Sequence, residues 1–244
     1  RYSSVRHIVY DAVPEDAALD AFQAGYGSRA LPDYNFSRAQ TIVSVGADFL
    51  GDWQGGGYDA SYARGRVPVN GQMSRHIQFE SNMSLTGSNA DKRVPILPSE
   101  QRQVLAALYN YIVGGSSTSN IDNARLDDVV VKAANQLRRA GRRGVVVTGI
   151  QDADAQSLAL AINEALNSEV IDTDNPRMVR QGQNAQVQQL VQDMNSGRVG
   201  ALLMAGVNPV YTLPNSSEFV EGLGKVDLTV DFTMKKDETA KQVE

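Results

Sequence analysis

The sequence contains no cysteine. That excludes disulfides, a thiolate nucleophile, cysteine-ligated iron–sulfur clusters and cysteine-based zinc sites within these residues. Imidazole is nearly as scarce: His7 and His76 are the only histidines, too few for most metal sites. No apolar run approaches the roughly 18–20 residues a membrane-crossing helix needs. An excess of basic charge is missing too. Lys and Arg number 23 against 28 Asp and Glu, for a net charge of −5. Nucleic-acid and anionic-membrane surfaces require clustered positive charge, so both are disfavoured. The one basic cluster, "LRRAGRR" over 137–143, reads as the last turn of a helix before a glycine. A start at Arg1 without methionine and a charged "KKDETAKQVE" end suggest a piece of a longer protein.

What is present is an α/β pattern. Thr41–Val45, Gly144–Thr148, Gly200–Ala205 and Val226–Phe232 are short and apolar along their whole length. Parallel strands covered on both faces look like this. Helices are expected between them. Ser99 is the expected N-cap of "SEQRQVLAALYNYIV", and Asp127–Ala140 should stop at Gly141. Asp152–Asn167 and Ala185–Asn195 complete the set, with Gly114–Asp122 as a loop. Alternation of helix and strand predicts an α/β class with mostly parallel sheets and flanking helices.

A weak internal repeat accompanies this pattern. Phe79 is followed after six residues by Thr86 and after four more by Asp91, and Phe232, Thr239 and Glu244 repeat the spacing. Upstream of each copy an apolar strand ends in Gly-x-(Asp/Asn), at Gly46-Ala47-Asp48 and Gly206-Val207-Asn208. Two related halves are expected.

In such folds ligands sit at the carboxyl ends of the strands, where a glycine lets the backbone approach a phosphate. Gly46, Asp48, Gly149, Gly206 and Asn208 are therefore the candidate cofactor-binding residues, with Asp48 or Asn208 bonding a ribose or base. The structural alternative is a tight turn that Asp48 and Asn208 close through their own side chains, and local chemistry favours it. No GxGxxG and no Walker-type lysine is present. His7 and His76 read as packed or surface residues. Asp127/Asp128 and Asp152/Asp154 stand at helix starts, where they offset the dipole. Ser3-Ser4 and Ser116-Ser117 have no partnered base, so no catalytic and no metal-binding residue is assigned.

The stretch "ALLMAGVNPVYTLPNSSEFVEGLGKVDLTVDFTMKKDETA", with "VSVGADFLG", "HIQFESNMSLTGSNAD" and "ILPSEQRQVLAAL", resembles the molybdopterin oxidoreductase superfamily. That resemblance implies two Rossmann-like halves: 1–113, a loop over 114–124, and 125–244. The sequence departs from the family where it would hold its cofactor. Asp48-Phe49 replaces an Asn-Pro, Phe79-Glu80-Ser81 replaces an Asp-Pro-Arg, and Pro98-Ser99-Glu100 replaces a Pro-Gly-Thr-Asp. No Cys or Ser stands in "VYDAV", where a metal ligand would fall, and only Asp11 could serve there.

"VSVGADFLGDW" and "MSRHIQFESNMSLTGSNADKR" are most similar to the large iron–sulfur subunit of bacterial alternative complex III. The resemblance implies a cofactor-free scaffold in a respiratory quinol oxidoreductase at the periplasmic side of the inner membrane. Its implied partners are a ferredoxin-like iron–sulfur domain of the same chain, haem c subunits and membrane quinol-binding subunits. No nucleic acid and no direct membrane span are expected. Clusters would lie in a missing C-terminal part. Phe49 and Phe79 would fill the vacated strand ends. The first alternative is an active enzyme fragment holding molybdopterin guanine dinucleotide, with Asp11 on the metal. The second is a nucleotide- or sugar-phosphate-binding domain with phosphate at Gly46, Gly149 or Gly206.

Overall fold

The computed structural model describes residues 4–115 and 121–243. Ser3, Ser116, Ser117 and most of the expected Gly114–Asp122 loop lie outside them. In chain order the elements begin with α1 (Asp16–Tyr26), β1 (Leu31–Tyr34), β2 (Thr41–Val45), α2 (Asp59–Gly65) and β3 (Arg75–Glu80). Next come α3 (Leu85–Ser88), β4 (Lys92–Pro95), α4 (Pro98–Ile112), α5 (Ala124–Ala140), β5 (Gly144–Thr148) and α6 (Ala153–Ala165). The chain continues through β6 (Ile171–Arg177), α7 (Asn184–Asn195), β7 (Ala201–Ala205), α8 (Pro209–Thr212), α9 (Ser216–Leu223) and β8 (Leu228–Phe232). They form two compact units: Ala17–Val179, and Arg1–Asp16 together with Arg180–Glu244.

The larger unit is built on a four-stranded parallel sheet of order β4-β3-β2-β5. Every residue of β2 and of β5 is buried, as expected of apolar runs covered on both faces. One face carries Val43, Val45, Ile77, Phe79 and Val146 under α4, α5 and α6. The other carries Ile42, Val145 and Val147 over an aromatic layer of Tyr34, Phe36, Phe49, Trp53, Tyr58 and Tyr62. Phe36 stacks on Phe49 at 4.4 Å between ring centres, and Tyr62 meets Phe49 edge-on at 5.5 Å. Phe49 thus belongs to this layer and Phe79 to the α4–α5 face. An antiparallel pair, β1 with β6, completes the unit.

Helix ends follow local chemistry. Asn123 Oδ1 accepts the Leu126 N–H at 3.2 Å to start α5, and Gly141 at φ +52° ends it after Arg138 and Arg139. Asp152 Oδ1 accepts the Ala155 N–H at 2.9 Å at the start of α6. The expected cap of α4 is corrected. Pro98 opens the helix, so the cap is Leu97 and Ser99 lies inside the first turn. Glu100 takes over the polar role by accepting the Leu97 N–H at 2.7 Å.

In the smaller unit β7 pairs in parallel with β8, and Met194, Met204, Phe219 and Leu223 form the core with α7 and α9. The N-terminal residues join this unit through Tyr10 to Thr212 at 2.6 Å and through Arg6, which grips Asp193. Arg198, then Gln189 and Arg6, hold the Asp193 carboxyl well below the usual carboxylate range. Here a second expectation fails. β7 and β8 are not covered on both faces, and Leu203, Leu228 and Phe232 stand exposed.

Candidate functional site

β2, β3 and β4 run to one side of the sheet and β5 to the other, so the order reverses between β2 and β5. A doubly wound fold takes its ligand in the crevice at this position. Here the turns after β2 and β5 pack against each other. Gly46, at φ +71°, turns the backbone at the end of β2 and donates its N–H to Phe79 O at 2.8 Å. Gly149 donates to Val45 O at 3.0 Å and lies so close that an added Cβ would stand 2.1 Å from Gly46 O. Trp53 Nε1 and Gln156 Nε2 both donate to Thr148 O, at 3.1 and 3.2 Å. Gln101 closes the remaining side, its Oε1 2.9 Å from where a Cβ of Gly46 would stand.

Asp48 turns inward as well. Its Oδ1 accepts the Thr86 N–H at 2.9 Å and the Thr86 hydroxyl at 2.7 Å. The same hydroxyl accepts the Leu50 N–H at 2.9 Å. The smaller unit repeats the arrangement atom for atom. Gly206, at φ +66°, donates to Phe232 O at 3.3 Å. Asn208 Oδ1 accepts the Thr239 N–H at 3.3 Å and hydroxyl at 2.7 Å, and that hydroxyl accepts the Val210 N–H at 3.1 Å. The repeat is therefore a conserved piece of turn chemistry within the molecule. The free amide of Asn208 is spent on Glu238 at 2.8 Å. Of the five candidate residues, Gly46, Asp48 and Gly149 meet at one sheet end, while Gly206 and Asn208 form their counterpart in the other unit.

Asp11 is engaged by Arg180 at 3.4 Å and by the Val13 N–H at 3.2 Å. Among the described residues no group of three His, Cys, Asp or Glu side chains could hold a metal. No described helix is long and apolar enough to cross a membrane.

Strand β3 carries a feature the sequence reading missed. Its alternate residues His76, Gln78 and Glu80 form a buried polar row facing the aromatic layer. Gln78 Nε2 donates to Ala47 O and to Glu80 Oε2, both at 3.2 Å, which leaves its Oε1 to accept from His76 Nε2 at 3.2 Å. The Tyr62 hydroxyl lies 3.1 Å from His76 Nδ1 and 2.9 Å from Asn89 O, its acceptor. Arg93 and Ser84 hold the Glu80 carboxylate. The period-two spacing was visible in "RHIQFE", but alternation alone marks the polar side as the wet one.

Burial pushes the His76 imidazole down to about 4, against the raising effect of its bond to Gln78. The unfolded chain therefore binds the proton more readily than the fold does. Stability from this group is complete above pH about 6.5 and is lost as pH falls towards 4. Between pH 7 and pH 5 the loss is about 2 kcal/mol. Urea midpoints read by fluorescence of Trp53, the only tryptophan, should show that loss, and His76→Gln should remove it. An unchanged pH slope in His76→Gln would refute this account.

One open polar depression, about 370 Å³, lies beside β1 and α2 and is lined by Asp33, Asn35, Tyr58, Ser61, Arg64 and Arg177. Arg177 donates to Gly56 O at 2.9 Å and lies 4.9 Å above the Tyr58 ring. It serves to hold the glycine loop.

No family model matches this chain, and no curated protein matches it. Among solved structures it is similar to a chain of the formyltransferase/hydrolase complex (FhcABCD) from Methylorubrum extorquens in complex with methylofuran. The TM-score is 0.54 at 16% identity, covering 93% of this chain and 67% of that one. At such identity the likeness establishes a shared fold.

The finding corrects the expected membership of the molybdopterin oxidoreductase superfamily. It equally removes the alternative complex III subunit, the respiratory-chain role, the iron–sulfur assignment and the active molybdopterin-enzyme alternative. The reason is physical: the residues that carried the resemblance bond to one another and encode a parallel-sheet turn. The chain is thus of the α/β class, on a fold shared with a chain of the formyltransferase/hydrolase complex.

Proposed function

We propose that this chain is a structural α/β domain of a multi-subunit enzyme assembly that transfers or hydrolyses a formyl group, holding no cofactor of its own. The backbone contact of Gly149 with Gly46 at the junction of β2 and β5 carries this reading. Asp48 spends its carboxylate on Thr86 and Gly149 packs on Gly46, which supports a turn built for structure, with chemistry belonging to neighbouring subunits. The likeness to a chain of the FhcABCD complex supports the assembly and the reaction class. A fold hosts many functions, so the reaction class rests on that analogy.

The test is to purify the natural full-length protein, tagged at its own locus, under mild conditions. A multi-subunit assembly with formyl-transfer or formyl-hydrolysis activity is expected, and Asp48→Asn should leave its turnover unchanged. Assembly without either activity would overturn the reaction class. Activity in the separated subunit would overturn the structural role.

A further inference from the structure

The exposed face of the β7–β8 pair has a counterpart inside the same molecule. Parallel register puts Ala201, Leu203 and Ala205 on one side with Leu228, Val230 and Phe232. All six are apolar. Leu203, Leu228 and Phe232 are 64%, 55% and 60% exposed, while Met204 on the opposite side is buried against α7 and α9. An uncovered apolar face of this kind marks an interaction surface. The repeat aligns Leu203 and Ala205 with Val43 and Val45, and Val230 and Phe232 with Ile77 and Phe79. In the larger unit those four residues are buried beneath α4 and α5, against Leu105, Leu108, Val130 and Leu137. There β2 also pairs with β5 on its second edge, whereas β7 pairs only with β8 among the described residues.

We propose that this face and the open edge of β7 receive a helix–helix–strand segment of the same polypeptide, lying outside residues 1–244 and matching α4, α5 and β5. Covalent continuity follows from the geometry of parallel sheets. A strand laid parallel to its neighbour needs a crossover of a dozen or more residues, usually helical, and that crossover covers the sheet face. In the larger unit α4 and α5 are the part of that connection that leads from β4 to β5. The solved chain is longer than its matched part, with 67% of it covered. The two helices would each bring a leucine- and valine-rich stripe and no charge onto Leu203 and Phe232. This inference is independent of the formyl chemistry proposed above.

The test uses the natural full-length protein with a photoreactive benzoylphenylalanine in place of Leu203, irradiated and mapped by peptide mass spectrometry. One dominant intramolecular link is expected, to apolar positions three or four residues apart in a segment outside residues 1–244. Links confined to residues 1–244, links to a second copy or to another polypeptide, or no link would each overturn the proposal. Hydrogen exchange on the unsubstituted full-length protein provides a second reading. Amides of 201–205 should exchange within about tenfold of those of 41–45. Exchange at the rate of an open edge would overturn the proposal as well. Neither reading depends on formyl transfer, so its failure is separable from that of the functional proposal.

Discussion

Replacing Gly149 by valine is expected to lower the unfolding temperature of the larger unit by about 6–12 °C, from a loss of about 3 kcal/mol. The added Cβ would stand 2.1 Å from Gly46 O, 2.7 Å from Gly46 C and 3.0 Å from Ala47 Cα. All three are backbone atoms, so no side chain can swing aside. Relief requires parting β5 from β2, whose ladder runs in register from Thr41↔Gly144 to Val45↔Thr148. Trp53 donates to Thr148 O and is buried, so its fluorescence reports this junction directly. The experiment also separates two roles for the glycine. If Gly149 were kept to admit a phosphate, valine would abolish binding and leave the ligand-free unit as stable as before. A thermal midpoint unchanged in Gly149→Val would therefore refute the sealed junction.

The second large effect is expected at Asp48. Leucine there removes the acceptor for both the Thr86 N–H and its hydroxyl, and Thr86 is fully buried. Two stranded donors cost about 3 kcal/mol, by analogy with other hydrogen bonds to charged groups. Asparagine should cost under about 1 kcal/mol, because Asn208 accepts the same two bonds from Thr239 in the smaller unit. The pair of variants thus uses one half of the molecule to predict the other. Equal losses for Asp48→Asn and Asp48→Leu in urea unfolding would show that the negative charge matters, which the internal repeat denies.

The elements legible in the sequence were those whose surroundings repeat along the chain. β2 and β5 have the expected ends because an unbroken apolar run of five residues fits a strand buried on both faces. Gly141 and Asp152 act within three or four residues of themselves, so the end of α5 and the start of α6 follow from local bonds, whereas α5 starts at Ala124, ahead of the expected Asp127, because Asn123 caps it. β6 escaped notice for the opposite reason. "IDTDNPR" is polar and contains Pro176, which only a two-stranded pairing on an edge accommodates. The aromatic layer also gave no signal, because its six rings come from a long irregular stretch and meet only when β1, β2 and α2 pack together.

Residue order alone determined the α/β class, the buried central strands, the positive-φ turns at Gly46 and Gly206 and the existence of two related turns. Short-range sterics and hydrogen bonds suffice for each of these. Tertiary structure alone decided what the turns are for. A Gly-x-Asp at a strand end looks the same whether its donors face a ligand or a threonine thirty-eight residues away. Only the close approach of Gly149 to Gly46, set by the pairing of β5 with β2, shows that backbone meets backbone at this junction.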